Sequence, residues 1–86
     1  MKITASKGFR KQFNKLQEGE KRKFRKHRDL FLENPHHPTL HNHKLKGKWS
    51  GYRSINITGD VRAIYKPVDE TVVHFVAIGT HSELYG

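Results

Sequence analysis

The feature that most constrains this chain is a change of hydrophobic period near its middle, opened by Asn34-Pro35 and complete by His41. Before the break, Phe9, Phe13 and Leu16 fall at i, i+4 and i+7, the stripe of an amphipathic helix. We read that helix from Lys7 to Leu16, after a short strand at Lys2–Ala5. Gly19 interrupts it, and a second helix from Glu20 to Glu33 keeps Phe24, Leu30 and Phe31 on a core-facing side. After the break, β-branched and aromatic residues cluster in short runs, read as strands at His41–Leu45, Tyr52–Ile57, Val61–Lys66 and Val72–Ile78. The links Thr58-Gly59-Asp60 and Pro67-Val68-Asp69-Glu70 are short enough for hairpins.

A helix pair cannot bury its own stripe, so the two halves must be the two layers of a single domain, residues 1–86. The pattern predicts an α+β fold, an antiparallel sheet of about four strands with a two-helix N-terminal hairpin packed on one face. Phe9, Phe13, Leu16, Phe24 and Phe31 should meet Ile55, Ile57, Ile64, Val73 and Phe75. The last strand, the most apolar, should be central, with Val73, Phe75 and Ala77 on one face and Val72, His74, Val76 and Ile78 on the other. The sheet's open face should be concave and basic.

Composition bears on partners. Seventeen Lys and Arg against eight Asp and Glu leave a formal charge of +9, an argument for a polyanionic partner, nucleic acid first. The run KRKFRKHR, with Lys21 and Lys23, reads either as a solvated helix face or as a nucleic-acid surface. A second set, Lys44, Lys46, Lys48, Arg53, Arg62 and Lys66, is interleaved with Trp49, Tyr52 and Tyr65, which suits single-stranded RNA. With no Cys, disulfides, Cys-ligated zinc and Cys nucleophiles are excluded. No apolar run suits a signal or a spanning helix, so we expect a cytoplasmic protein with no membrane partner.

Seven histidines remain to be explained. His36-His37 and His41-x-His43 invite a metal reading, but no further ligands stand at recognisable spacing, so we expect no metal and no cofactor. Metal-free RNA cleavage needs a base for the 2′-hydroxyl proton, an acid for the leaving 5′-oxygen and fixed cations on the phosphorane. His43, His81, Arg62 and Lys46 are suitable types, since histidine titrates near neutrality and arginine's fork matches phosphate. Arg62 falls two residues after Asp60, hence on the same strand face.

The ordered pieces His43-x-Leu45-x-Gly47, Gly51-Tyr52-Arg53, Gly59-Asp60, Ile64-Tyr65-Lys66 and Gly79-Thr80-His81-Ser82-x-Leu84-Tyr85-Gly86 resemble the RelE/ParE toxin superfamily. Within it the similarity is greatest to the YafQ-like branch of ribosome-dependent mRNA interferases. The resemblance implies a toxin of a type II toxin–antitoxin system that enters the ribosomal A site and cuts the message there, neutralised by a cognate antitoxin. It implies catalytic roles for His43, Asp60, His81 and Tyr85, joined by Arg62 from the strand pattern; from the charge pattern we expect Lys21, Lys23, Lys44, Lys46, Lys48 and Arg53 to contact RNA and ribosome. The branch's namesake carries a histidine and a tryptophan at the positions of Asn56 and Val61, and asparagine cannot shuttle a proton. The competing implication is a ParE-like gyrase inhibitor that cuts nothing. The histidine-bearing tail weighs against it.

Overall fold

The computed structural model describes residues 1–86. Strands β1 (Lys2–Ala5), β2 (His43–Lys44), β3 (Arg53–Asn56), β4 (Val61–Pro67) and β5 (Val72–Thr80) form one sheet in the order β1-β5-β4-β3-β2. Helices α1 (Lys7–Asn14) and α2 (Glu18–Glu33) precede the β2–β5 meander, and α3 (His81–Tyr85) follows it. The meander pairs antiparallel as the turns require, but β1 joins β5 in parallel, with Ile3 opposite Val73. No hairpin turn links β1 to β5, so no local sequence signal sets their direction.

Helix boundaries follow local capping. Ser6 accepts the Phe9 amide at 3.0 Å and starts α1. The interruption after α1 lies earlier than Gly19 suggests: Glu20 accepts the Gln17 amide at 3.0 Å, and Gly19 sits inside the first turn of α2. A glycine in the first turn weakens a helix less than a reciprocal cap strengthens it.

Between the helices and the sheet, Phe9, Phe24, Phe31, Tyr65 and Phe75 pack ring to ring with centroids 5.0 to 5.9 Å apart. Leu40, Ile55, Ile57, Val61, Ala63, Val73 and Ile78 complete this core. Each of the Phe, Leu, Ile and Val side chains contributes about 1.5–3 kcal/mol on burial, so this layer carries most of the hydrophobic stabilisation.

Two core assignments differ from the alternating pattern. Along β5 the register slips between Ile64–Ala77 and Tyr65–Phe75, leaving Val76 as the extra residue of a bulge. Beyond the bulge every side chain changes face: Ile78 enters the helix-side core, while Ala77 joins Ile64 and Leu84 on the other side. Ile64 itself belongs there by plain alternation with Ala63 and Tyr65. The Gln12 side chain of α1 accepts the Ile78 amide at 3.1 Å, and the Ser6 hydroxyl donates to the Val76 carbonyl at 3.3 Å.

The sheet's second face is therefore not fully open. The five-residue α3 packs over Ile64 and Ala77 through Leu84, together with partly buried Leu45, Trp49, Tyr52, Val76 and Tyr85. Trp49 Nε1 donates to the Leu84 carbonyl at 3.3 Å and fastens the helix there. Gly47 and Gly51 bracket Trp49 with φ of 65° and 90°, the left-handed region that the turn needs. No helix is long and apolar enough to cross a membrane.

Candidate active site

Ile55 on β3 and Ile57 just after it enter the helix-side core, so Ser54 and Asn56 point to the opposite face. There they line a cleft of about 560 Å³ with His41, His43, Leu45, Lys46, Arg62, His81 and Tyr85. Four segments converge: the stretch from His41 to Lys46 around β2, the inner strands β3 and β4, and α3. The lining holds three imidazoles, a guanidinium and an ammonium, and no carboxylate.

Each charged or titratable group is held by something local. Arg62 Nη1 donates to the carbonyls of Thr58 at 3.0 Å and Val61 at 3.3 Å, and Nη2 to Gly59 at 3.2 Å. Carbonyls orient the fork without neutralising it, so its charge stays available to an anion. His43 Nδ1 lies 2.8 Å from the His41 carbonyl. A carbonyl only accepts, so Nδ1 carries the proton and the neutral ring keeps Nε2 as its acceptor. His41 itself adopts φ 47° and ψ 46°, a conformation a non-glycine residue occupies at a cost.

His81 opens α3. Thr80 accepts the Glu83 amide at 3.2 Å, and Glu83 Oε1 accepts the Thr80 amide at 2.7 Å, a reciprocal cap. The bond from the Thr80 amide, more than any other contact, holds the Glu83 carboxyl below the usual carboxylate range. The His81 ring then lies 4.7 Å from that of Tyr85, one helical turn on.

Of the residues the sequence singled out as catalytic, His43, Arg62, His81 and Tyr85 line this cleft and Asp60 does not. Asp60 is exposed in the β3–β4 turn and meets the site through its main chain, its carbonyl accepting the His81 amide at 3.2 Å. Of the cations assigned to RNA, only Lys46 is in the lining. Lys44 and Arg53 border a separate hollow beside Tyr52 and Pro67, and Arg53 Nε is spent on Asn42 Oδ1 at 2.8 Å. Lys48 lies in a groove with Lys11 and Lys15. On α2, Lys21 is largely covered and pairs with Glu18 at 3.5 Å, while Lys23 is exposed beside Arg22, Lys26 and His27.

The aromatic residues read as stacking faces are mostly engaged elsewhere. Tyr65 is 3% exposed in the helix-side core, its hydroxyl accepting from Asn42 Nδ2 at 2.8 Å. Trp49 and Tyr52 pack edge to face at 5.4 Å within the cluster under α3. Tyr85 is the aromatic that the cleft presents. Sequence reasoning weighed His41 only as a metal ligand and passed over Ser54. Ser54 was legible as a polar position alternating with Ile55 and Ile57, whereas nothing local announces His41's left-handed backbone.

The whole chain, residues 1–86, matches the family model of the YafQ toxin, a bacterial toxin of type II toxin–antitoxin systems. Among solved structures it is similar to YafQ from E. coli strain BL21(DE3), with 27% identity over 98% of this chain and 97% of that one and a TM-score of 0.83. It is also similar to a copper-bound mutant toxin from Helicobacter pylori, at 29% identity over 99% of both chains and a TM-score of 0.71. The toxin of the E. coli DinJ–YafQ toxin–antitoxin complex matches at 29% identity over 98% of this chain and 96% of that one, with a TM-score of 0.75. No curated protein matches the sequence. In this chain no group of three or more His, Cys, Asp or Glu side chains is placed to hold a metal ion. The chain belongs to the YafQ family of bacterial toxins of type II toxin–antitoxin systems.

Proposed function

We propose that this toxin is a ribosome-dependent endoribonuclease that cuts messenger RNA in the A site by metal-independent acid–base chemistry. The observation that carries the reading is the convergence of His43, Arg62 and His81, from β2, β4 and α3, on one cleft without a carboxylate. His43 Nε2 takes the proton of the ribose 2′-hydroxyl, and the 2′-oxygen attacks the adjacent phosphorus. As the P–O5′ bond breaks, protonated His81 gives its proton to the 5′-oxygen, leaving a 2′,3′-cyclic phosphate and a 5′-hydroxyl. Arg62 and Lys46 offset the charge of the phosphorane, and Tyr85 offers a ring against which a base can stack. Asp60 supports His81 through the main chain and transfers no proton.

A small open cleft does little to align a flexible RNA strand, and alignment is a large part of any rate enhancement. The ribosome supplies it, and the exposed cations of α2 dock on ribosomal RNA. The partner that silences the toxin is its cognate antitoxin, for which the DinJ bound to E. coli YafQ is the precedent. The +9 charge favours an acidic antitoxin segment across the cleft face and fast, salt-sensitive association.

Toe-printing on a translated message tests this reading: cleavage should map within A-site codons and vanish when antitoxin is added. An intact message together with lost plasmid supercoiling by gyrase would replace it with the gyrase-inhibitor reading.

A further inference from the structure

Ser54 is fully buried, at 0% exposure, and its Oγ has no hydrogen-bond partner. Across the molecule it is the one buried side-chain oxygen or nitrogen left unsatisfied. Leaving a hydroxyl so costs about 1–3 kcal/mol, and each such group in a native fold calls for an explanation, a functional contact or an ordered water among them. Its position is specific. Ser54 lines the cleft floor, and its cross-strand partner in the β2–β3 register is His43. Directly paired residues on neighbouring strands project from the same face, so the Ser54 and His43 side chains leave the sheet side by side on the cleft face.

We infer that Ser54 is a ribose-recognising residue: its hydroxyl donates to the 2′-oxygen of the nucleotide that His43 deprotonates. The inference rests on the ribonuclease reading and adds what selects RNA there. A donor on the 2′-oxygen fixes the lone pair that attacks phosphorus and offsets the charge that grows as the proton leaves. The serine proton stays on Oγ throughout, and the 2′-hydroxyl proton goes to His43. Because Oγ is shielded in the free protein, the bond forms only when the ribose displaces the side chains around it. The contact therefore belongs to the engaged complex and is absent from the first docking on the ribosome.

Two measurements test this. Single-turnover cleavage of a ribosome-bound message at saturating toxin should slow at least tenfold in Ser54→Ala. Its melting temperature should hold or rise, since the substitution removes an unpaired oxygen. Ser54→Cys, close in size and a weaker donor, should fall between. The second measurement uses uncleaving toxin, His81→Ala, bound to ribosomes carrying a message with either a ribose or a single 2′-deoxyribose at the attacked nucleotide. With Ser54 present the deoxy message should bind about three- to tenfold more weakly. With Ser54→Ala added, the two messages should bind alike. An equal deoxy penalty in both proteins, or wild-type cleavage by Ser54→Ala, would overturn the assignment while leaving the ribonuclease reading intact. Failure of the wild-type toxin to cut any ribosome-bound message would remove both.

Discussion

The two faces of the sheet are built to different standards. On the helix side, twelve buried residues form a continuous core, stitched by aromatic contacts and by Gln12 and Ser6 at the β5 bulge. On the cleft side only Ile64, Ala77 and Leu84 are buried together, under a five-residue helix and a short turn. That face also holds the unsatisfied Ser54 hydroxyl, the left-handed His41 and cations with no carboxylate among them. One face stabilises the strands and the other uses them. Strained and unpaired groups persist only where a rigid scaffold holds them, and here that scaffold is the reverse side of the same strands.

The division is broken most directly from its stable side. Phe75 touches Phe9, Phe24, Phe31 and Tyr65, so Phe75→Ala should cost about 3–5 kcal/mol, measured by urea unfolding. That is a large fraction of what a domain of this size possesses. Cleavage should fall only as far as the folded fraction falls. Loss of cleavage in protein that is still folded would show that the faces are coupled more tightly than their contacts indicate.

From the other side, His81→Ala and His43→Ala should each lower single-turnover cleavage by about 10²- to 10⁴-fold. Urea midpoints should stay within the scatter of ordinary surface substitutions, since both side chains are exposed. Ribosome binding, followed by sedimentation, should persist, because in the proposed mechanism the two groups act on the transition state. Wild-type rates in both variants would remove the proton-transfer model.

How much of this was legible follows the same division. The helix stripes of Phe9, Phe13 and Phe24, and the meander from β2 to β5, are written in local periodicity and turn residues. The bulge at Val76 is not, because it is fixed by pairing with β4 and by Gln12 from a distant helix. It exchanged the faces of Ala77 and Ile78, and α3 was missed because a five-residue segment is too short for a helical period to emerge. At the site, residue type and resemblance marked His43, Arg62, His81 and Tyr85. The burial of Tyr65, the engagement of Arg53 by Asn42 and the outward position of Asp60 depend on tertiary neighbours that no spacing encodes.

A smaller effect should separate the faces by pH. Glu83 accepts the Thr80 amide and Asp69 accepts the amides of Thr71 and Val72; both carboxyls are held below the usual range chiefly by the bonds from Thr80 and Thr71. A depressed carboxyl contributes fully above its unfolded pKa, and its contribution is lost as pH falls through the folded value. Acid below the ordinary carboxylate range should therefore loosen two places, the β4–β5 turn and the start of α3 that positions His81. Glu83→Gln should remove the α3 part of this acid sensitivity, seen as a flatter pH response of the His81 and Tyr85 resonances. Asp69→Asn should leave those resonances unchanged. Thr80→Ala, which deletes the other half of the cap, should cost about 1 kcal/mol at α3, and cleavage should fall with it.

The smallest expected effect concerns a third surface, the outer side of α2, and decides whether it belongs with the stable face or the working one. Lys21 and Lys23 carry the same charge in different surroundings. Lys21 has 17% of its side chain exposed, pairs with Glu18 at 3.5 Å and holds its ammonium 5.9 Å from the Phe13 ring centroid. Lys23 is exposed and opens onto the hollow shared by Arg22, Lys26 and His27. Only a cation free to meet phosphate releases counterions on binding, so Lys23→Ala should flatten the salt dependence of ribosome binding by about one unit of slope while leaving stability alone. Lys21→Ala should do the reverse, costing a few tenths of a kcal/mol through lost packing and pairing, with little change in slope. Equal slopes in the two variants would mean that α2 acts through its overall field, with no individual phosphate contact, and that the working surface of the toxin ends at the cleft.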